Sequence, residues 1–421
     1  MTVPESNAYN TAETVARRSY GRLVAFLAVR TRDVAAAEDA LSEAFAAALA
    51  DWPRNGCPAN PEAWLLTVAR RKIIDTFRSQ LRHEVDDEGL SVIAEVPDAE
   101  EIPDRRLALM FVCAHPSIDP AIRAPLILQA VLGLDAARIA SAFLTSPAAM
   151  GKRLVRAKDK IRHAGIPFKV PEREELPGRL ETVLDAIYAA FTEGWIDPAG
   201  AAAARRDLKD EALFLARLVN ELLPNESETL GLLALMLYAE ARRPARRNAQ
   251  GEYVPLAEQD RSRWDRAAVS EGTDLITHAL ATAPIGPYQL EAAIAAVHDE
   301  AARAAATDWR QILALYRVLE SVKPSPVVRL NLAVAAAMVH GPQTGLDLLA
   351  SLDTDERMAG YHRVAAVRGH LLDMAGQHDA ARASYLLAAR RTTSLPEQRY
   401  LESRAARCRA GRAPSRPGDN C

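Results

Sequence analysis

The chain of 421 residues has few aromatic residues and four cysteines. Aromatic side chains make up 5% of the sequence, β-branched runs are rare, and alanine is abundant. This composition disfavours sheets and favours helices, so we predict an all-α fold. Apolar residues make up 49% and charged residues 25% of the chain, which is ordinary for a globular protein with several domains.

The cysteines show no Cys-x-x-Cys spacing, which disfavours a disulfide framework or a structural zinc site and fits a reducing compartment. The N-terminus is polar, unlike a signal peptide, and no run approaches the roughly 20 apolar residues that span a bilayer. We therefore expect a cytoplasmic protein without membrane contact, cofactor or metal. The sequence also lacks a nucleophile–base pair and a Gly-rich phosphate loop, so we do not expect an enzyme.

Residues 135–162 contain two short amphipathic helices separated by a tight break. Ser146 is a favoured N-cap for the second helix, and Pro147 fits its first position. From Ser146 to His163 there are six Lys or Arg residues against one Asp. A short helix, a turn and a basic helix form the helix-turn-helix pattern, whose second helix enters the major groove of DNA. The alternative is an ordinary helical hairpin with a solvated charged face.

The outward positions near the start of this second helix are candidates for contact with base edges. They are Ala148, Ala149, Lys152, Arg153 and Arg156. Arginine can pair bidentately with a guanine edge, which is worth about 1–3 kcal/mol of discrimination. Lys158, Lys160 and Arg162 lie farther along the helix, where we expect contact with phosphates or solvent.

Several predicted helices precede this pair, and two of them carry a distinctive set of charged residues. The first spans about 34–50 and carries Glu38, Asp39 and Glu43 on its polar side. A Pro- and Asn-rich loop over 51–61 follows, and Asn60-Pro61 opens a helix from 61 to about 80. This helix carries a mostly basic set of polar side chains, namely Arg70, Arg71, Lys72, Asp75 and Arg78.

Segments 37–49 (AEDALSEAFAAAL) and 61–78 (PEAWLLTVARRKIIDTFR) resemble region 2 of the extracytoplasmic-function (ECF) sigma factors. The matching residues are Ala37, Glu38, Asp39, Glu43, Phe45, Pro61, Trp64, Leu65, Ala69, Arg70, Asp75 and Arg78. The chain departs from the family pattern at Ser42, where Gln is usual, and at Arg71, where Asn is usual. Segment 146–158 (SPAAMGKRLVRAK) resembles region 4 of the same family.

The resemblance implies that the protein binds core RNA polymerase and promoter DNA. Region 2 would hold the polymerase through Glu38, Asp39 and Glu43, while Trp64 packs in its core. The residues implied in contact with the −10 element are Asn60, Arg70, Arg71, Lys72, Asp75 and Arg78. An unstacked −10 base would be held by the loop over 54–60, and the outward positions of the later basic helix would read the −35 duplex.

We predict region 2 over residues 9–83 and region 4 over 105–164. Between them, residues 84–104 hold nine acids and no Lys or Arg, which indicates an extended linker. This acidity either serves solubility alone or, as the resemblance suggests, suits a linker that threads toward the active-site cleft of the polymerase. Residues 165–177 form a second, Pro-rich linker.

Residues 178–411 form a predicted helical domain. Its candidate helices are 178–194, 208–222, 226–243, 263–282, 286–301, 308–321, 325–340, 342–351, 359–375, 377–392 and 396–410. Segment 362–392 has the spacing of a tetratricopeptide repeat (TPR), and the domain resembles the C-terminal TPR-like extension of one ECF subgroup. The Arg-rich stretch 241–266 is either an ion-paired structural loop or a recognition surface.

We therefore predict a sigma factor that directs promoter-specific transcription initiation. Its helical C-terminal domain would modulate that activity, with intramolecular contact to regions 2 and 4 as one route. The alternative is a polymerase-independent helix-turn-helix regulator with a ligand- or partner-sensing helical domain, which would leave region 2 without a role.

Overall fold

A computed structural model describes residues 3–80, 102–143, 145–193, 202–281 and 284–410. Its regular elements in these ranges are all helices, which confirms the predicted all-α fold. The acidic linker predicted over 84–104 lies largely outside the described residues. The described residues form two compact units: unit 1 comprises those within 3–80, 102–193 and 203–215, and unit 2 comprises those within 216–410. None of the described helices combines the length and the apolar character that crossing a membrane requires.

Unit 1 contains α1 (Val3–Thr31), α2 (Val34–Asn55), α3 (Pro61–Gln80), α4 (Arg106–Cys113), α5 (Pro120–Leu132), α6 (Ala136–Ala142), α7 (Pro147–His163), α8 (Leu176–Glu193) and most of α9 (Ala202–Leu222). Unit 2 contains the rest of α9, then α10 (Ser227–Ala241), α11 (Arg266–Leu280), α12 (Pro287–Glu300), α13 (Trp309–Val322), α14 (Pro326–His340), α15 (Pro342–Ala350), α16 (His362–Met374), α17 (His378–Arg391) and α18 (Leu395–Ala410).

The loop predicted over residues 51–61 is wrong in its first half, because α2 continues to Asn55 with Pro53 inside it. Proline removes one backbone N–H, which in a helix would bond to the carbonyl four residues earlier. Here that carbonyl belongs to Leu49, which is an exposed residue in the last turns of the helix. Water can satisfy this carbonyl, so the helix tolerates the proline and ends at Gly56, where φ is +86°.

Unit 1 is organised around α1, which packs against α2, α3, α4 and α5. The closest approach is at Gly21, where a Cβ atom would lie 1.8 Å from the carbonyl oxygen of Val131 in α5. A side chain of any size would push the two backbones apart, so this crossing requires glycine. Helices α1–α3 and α4–α7 therefore share one core.

The boundary predicted at residue 178 differs from the boundary between the units, because α8 packs on α4 and α5 of unit 1. Its apolar face is buried, with Leu180, Val183, Leu184 and Ile187 inside. At the start of α8, the Arg179 guanidinium donates to the carbonyl oxygen of Phe111 over 2.9 Å. The first helix of the C-terminal segment is therefore part of the first unit.

Unit 2 is built from helices that each pack on their neighbours in the chain. One core cluster lies between α12, α13 and α14, a second between α14, α15 and α16, and a third between α16, α17 and α18. Such stacking buries a continuous apolar core because each helix pair covers the exposed face of the pair before it.

Two arginines of the Arg-rich stretch over 241–266, Arg242 and Arg261, contact the end of α12. Arg261 is buried and donates to the backbone carbonyls of His298 and Ala301 at the end of α12. Its guanidinium also lies over the ring of Trp264, 4.6 Å from the ring centroid. Arg242 approaches the carboxylate of Asp299 at 3.5 Å. The contacts of Arg261 and Arg242 favour the structural interpretation for these two residues, since they hold the end of α12. Arg243, Arg263 and Arg266 of the same stretch are exposed.

Candidate nucleic-acid and polymerase interface

Helices α6 and α7 form the basic helix pair expected from the sequence. Asp135 caps α6 by accepting from the backbone N–H groups of Ala137 and Arg138 at 2.9 and 2.8 Å. Ser146 caps α7 by accepting from the N–H of Ala149 at 3.2 Å, and Pro147 is its first residue. The local sequence therefore fixes where α7 begins.

The apolar side of α7 is buried through Met150, Leu154, Ala157 and Ile161. The opposite side holds the residues predicted to face DNA: Ala148, Lys152 and Arg156 are exposed, and Ala149 and Arg153 are half-buried. Val155 joins them as an apolar residue with 57% of its surface exposed. Sequence analysis did not select Val155, although a surface that reads DNA can use an apolar contact with the thymine methyl group.

The third side of α7 faces α2. The ammonium group of Lys158 donates to the carboxylate of Glu38, and both side chains are about nine-tenths buried, at 10% and 11% exposure. Farther along, Arg162 lies 3.5 Å from Asp33, the N-cap of α2, and 3.0 Å from Asp159. These contacts join the basic helix to the acidic helix.

The prediction that Glu38 lies on the outward side of α2 is wrong, because the carboxylate is buried against α7. Burial raises the pKa of Glu38 above its ordinary value, and the neighbouring Lys158 opposes that rise. The nearby Tyr20 is also buried, and its own burial, together with the charges of Glu38 and Asp39, raises its pKa. Lys158, predicted to contact phosphate or solvent, is instead the partner of Glu38.

The other two acids of α2 lie at the surface. Asp39 and Glu43 are both exposed and lie one helical turn apart, so they share one face. Glu43 accepts from the ammonium group of Lys72 on α3 at 2.8 Å. One ion pair therefore connects a residue predicted to bind polymerase with a residue predicted to bind the −10 element.

Helix α3 begins at Pro61 with Asn60 as its cap, since Asn60 Oδ1 accepts from the N–H of Ala63 at 3.0 Å. This places Asn60 in a helix cap, at the exposed end of the 56–60 loop. Along the helix, Arg71, Lys72 and Asp75 are exposed. The side chain of Arg78 lies outside the described residues, and its backbone belongs to α3.

Arg70 differs from the other charged residues of α3 because it is half-buried. It lines a cleft between α1 and α3 together with Phe26, Arg30 and Leu66. Burial and the charge of Arg30 lower the pKa of Arg70, and its Nε has no hydrogen-bond partner among the described residues. Two guanidinium groups therefore flank an apolar cleft, an arrangement that favours a flat or anionic ligand group over a cation.

Trp64 packs in this bundle as predicted. Its ring meets the buried ring of Trp52 in α2 edge to face, with 5.5 Å between the centroids. Glu62, two residues earlier in α3, accepts from Ser19 and Arg22 of α1. These contacts fix α3 against α1 and α2, and hold its exposed basic residues on a rigid support.

Comparison with known proteins adds two domain matches. Residues 15–83, which include most of α1 and all of α2 and α3, match the family model of sigma-70 region 2. Residues 179–280, from α8 to α11, match a family of unknown function, DUF6596. No solved structure matches the chain.

A curated relative matches almost the whole chain. It is the uncharacterized protein R00370 of Rhizobium meliloti (strain 1021), which is 40% identical over 380 residues, 88% of this chain and 89% of the relative. The N-terminal domain is therefore a sigma-70 region 2 domain, and it supports a sigma-factor role in transcription initiation. The chain belongs to the same family as protein R00370, with sigma-70 region 2 in front and the DUF6596 segment behind.

Proposed function

We propose that this protein is an ECF-type sigma factor that binds core RNA polymerase and directs promoter-specific initiation. The observation that carries the proposal is the sigma-70 region 2 match over residues 15–83, on a rigid helical bundle with charged residues at its surface. Asp39 and Glu43 of α2 then bind the polymerase. The −10 element is contacted by Asn60 and by five residues of α3, namely Arg70, Arg71, Lys72, Asp75 and Arg78.

Helices α6 and α7 act in this proposal as the helix-turn-helix of region 4. Support comes from the capped start of α7 and from the exposure of Lys152 and Arg156 on the side away from its buried face. Exposed cations on one helix face suit the phosphates and guanine edges of a major groove. Ala148, Ala149, Arg153 and Val155 complete the surface that reads the −35 element.

The pair of Glu38 and Lys158 gives the free protein a closed arrangement of these two regions. Glu38 belongs to the segment that binds polymerase in the proposal, yet α7 covers it. Polymerase can use Glu38 only after Lys158 leaves. Asp39 and Glu43 stay exposed, so they make the first contact, and separation of α7 from α2 follows.

The C-terminal segment modulates activity in this proposal through α8. This helix covers α4 and α5, which support the helix pair α6–α7, so the segment contacts region 4 directly. Unit 2, with its TPR-like stack of helices, then serves as the partner- or signal-binding part. A role in initiation also places the protein in the cytoplasm with the polymerase.

The test measures binding to purified core RNA polymerase and initiation on a library of genomic fragments from the encoding organism, with transcript 5′ ends sequenced. We compare the full-length chain with the double variant Asp39→Ala, Glu43→Ala and with the control Glu174→Ala, which removes an exposed acid elsewhere in unit 1. We expect the double variant to lose about 10- to 100-fold in polymerase affinity, because contacts to charged groups are worth about 1.5–3 kcal/mol.

Initiation at a defined set of fragments only when the chain is present supports the proposal. A chain that does not bind core polymerase contradicts it. Tight binding to duplex DNA without polymerase would support the polymerase-independent regulator instead.

A further inference from the structure

Three side chains with metal-binding donor atoms converge in unit 2, outside the surfaces described above. Asp373 lies at the end of α16, His378 is the first residue of α17, and Cys408 lies near the end of α18. One donor atom from each lies within 4.8 Å of the other two. The sequence gives no sign of this group, because Cys408 is far along the chain from His378 and no Cys-x-x-Cys or paired-His motif is present.

A tight turn brings the first two residues together. The backbone N–H of Gly376 donates to the carbonyl of Asp373 at 3.0 Å, and the N–H of Gln377 donates to the carbonyl of Leu372 at 2.9 Å. Gly376 has φ of +73°, a conformation that glycine adopts without strain. The chain reverses here, so the imidazole of His378 returns to the carboxylate of Asp373.

Asp373 is at the centre of the group, and its two oxygens have different partners. Oδ1 lies 3.1 Å from His378 Nδ1 and 3.5 Å from Cys408 Sγ. Oδ2 accepts from the Arg404 guanidinium at 2.9 Å. Arg404 is itself held, since it donates to Tyr400 Oη at 3.0 Å and lies over the ring of Tyr385. One oxygen is therefore fixed by an outer partner, and the other is directed at an imidazole and a thiol.

We propose that Asp373, His378 and Cys408 bind a divalent transition-metal ion of the zinc class, with a fourth position open to solvent. Thiolate, imidazole and carboxylate are the donors that zinc uses, and three protein ligands with one open position are common for it. The Arg404 contact matches the outer hydrogen bond that usually orients a ligating carboxylate.

The distances fit one ion. Zinc bonds of about 2.0–2.3 Å in a tetrahedral site place the ligand atoms roughly 3.3–3.8 Å apart. Two of the three separations, 3.1 and 3.5 Å, are already near this range. The third, between His378 and Cys408, is at most 4.8 Å and closes with a shift on the order of 1 Å. The side chain of His378 is 45% exposed at the start of its helix, so it is free to make that shift.

The alternative is a polar cluster held by hydrogen bonds alone. The protons of the imidazole and the thiol then occupy the position that the ion would take. Metal binding replaces those two protons, because the ligands must be deprotonated. The exposed imidazole gives the ion a path from solvent, while the 6% exposed thiol supplies a ligand shielded from water. A bound ion would connect α16, α17 and α18, the last three helices of unit 2.

The test is a titration of the metal-free full-length chain with Co²⁺, a spectroscopic substitute for zinc. We expect one equivalent to bind, with a thiolate-to-cobalt absorption band and the d–d bands of a four-coordinate ion, and Zn²⁺ to displace it. Cys408→Ser should abolish the thiolate band. Both Cys408→Ser and His378→Gln should weaken binding at least about 10-fold.

The controls are Cys57→Ser and His340→Gln, which remove an exposed thiol and an exposed imidazole outside the cluster. His378 is exposed, so its variant should keep the fold, and circular dichroism checks this for all four variants. The proposal is overturned if the wild-type chain binds no Co²⁺ at about 100 µM metal. It is also overturned if binding is unchanged in both Cys408→Ser and His378→Gln, or falls equally in the controls.

Discussion

Lys158 of α7 donates its ammonium group to the carboxylate of Glu38 in α2, and both side chains are almost fully buried. The second oxygen of Glu38, Oε1, is also buried and has no hydrogen-bond partner among the described residues. An ion pair in this position holds the basic helix on the acidic helix, although it pays a desolvation cost on both sides. The pair favours this one packing of α7 on α2, because any arrangement that leaves either buried charge without its partner is costly.

Lys158→Met should therefore destabilise unit 1 by about 3–5 kcal/mol at neutral pH, because it leaves the Glu38 carboxylate buried without a counter-charge. The double variant Glu38→Gln, Lys158→Met should recover most of that loss, since neither charge remains. Urea unfolding followed by circular dichroism measures the free energy of unfolding. Equal losses in the single and double variants would show that the pair contributes nothing beyond packing.

The stability lost in the single variant Lys158→Met should also depend on pH in a defined direction. The pKa of Glu38 is already raised in the folded protein by burial, and loss of Lys158 raises it further. A carboxyl group with a raised folded pKa contributes its stability below the unfolded pKa and loses it as pH rises. The difference in unfolding free energy between Lys158→Met and wild type should therefore shrink as the pH is lowered toward 4.5, the pKa of Glu38 in the unfolded chain.

Gly21→Ala should separate α1 from α5. The added Cβ would lie 1.8 Å from the Val131 carbonyl oxygen, which is backbone and cannot rotate away. Overpacking of this kind typically costs about 1–3 kcal/mol. The control is Gly178→Ala in α8, where a Cβ meets nothing within 4 Å and alanine should be neutral or stabilising. Thermal and urea unfolding of both variants give the comparison, and equal stability of the two would contradict the close crossing of α1 and α5.

His298 and Asp299 in unit 2 should give opposing pH dependences. Burial, with the charges of Arg242 and Arg261, lowers the pKa of His298 to about 4. Burial raises the pKa of Asp299 to about 6, against the opposing charges of the arginines nearby. Stability from neutral His298 is lost as pH falls from 6.5 toward 4, whereas stability from protonated Asp299 is lost as pH rises from 3.8 toward 6.

These two contributions partly cancel in the wild-type protein, and single variants should separate them. His298→Gln should leave a protein whose unit 2 gains stability as pH falls from 6 to 4. Asp299→Asn should leave one that loses stability over the same range. Each effect is at most about 3 kcal/mol, because one pKa unit corresponds to about 1.4 kcal/mol. Unfolding free energies at several pH values test this, and parallel pH profiles for the two variants would rule out the assignment.

Local features of the sequence predicted the fold well because they act within a few residues. Ser146 and Pro147 fix the start of α7, and Asn60 fixes the start of α3, as expected from capping. The surface positions of Asp39 and Lys152 followed from helical periodicity, for the same reason.

Features that depend on distant partners were not predictable in this way. Periodicity placed Glu38 outside, but Lys158 covers it from 120 residues away. The α8 helix looked like the start of the C-terminal domain because a Pro-rich segment precedes it, yet its apolar face matches α4 and α5. The cluster of Asp373, His378 and Cys408 depends on how three helices stack, which no local pattern records.

Arg156→Ala should weaken promoter recognition more than binding to polymerase. Arg156 is exposed on α7, on the side away from the residues that pack inside, and an arginine paired with a guanine edge discriminates by about 1–3 kcal/mol. The measurement is initiation by the reconstituted holoenzyme on a promoter it recognises and on templates with single −35 substitutions. We expect less initiation on the native template and a smaller difference in initiation between the native and the substituted templates.

The control Lys169→Ala removes an exposed cation outside α7 and should leave both the amount of initiation and its difference between templates unchanged. Arg156→Ala could instead lower initiation equally on all templates and reduce the slope of log affinity against log salt concentration by about 1, the value for one phosphate contact. That result would mean that Arg156 contacts the DNA backbone and that another residue of α7 reads the bases.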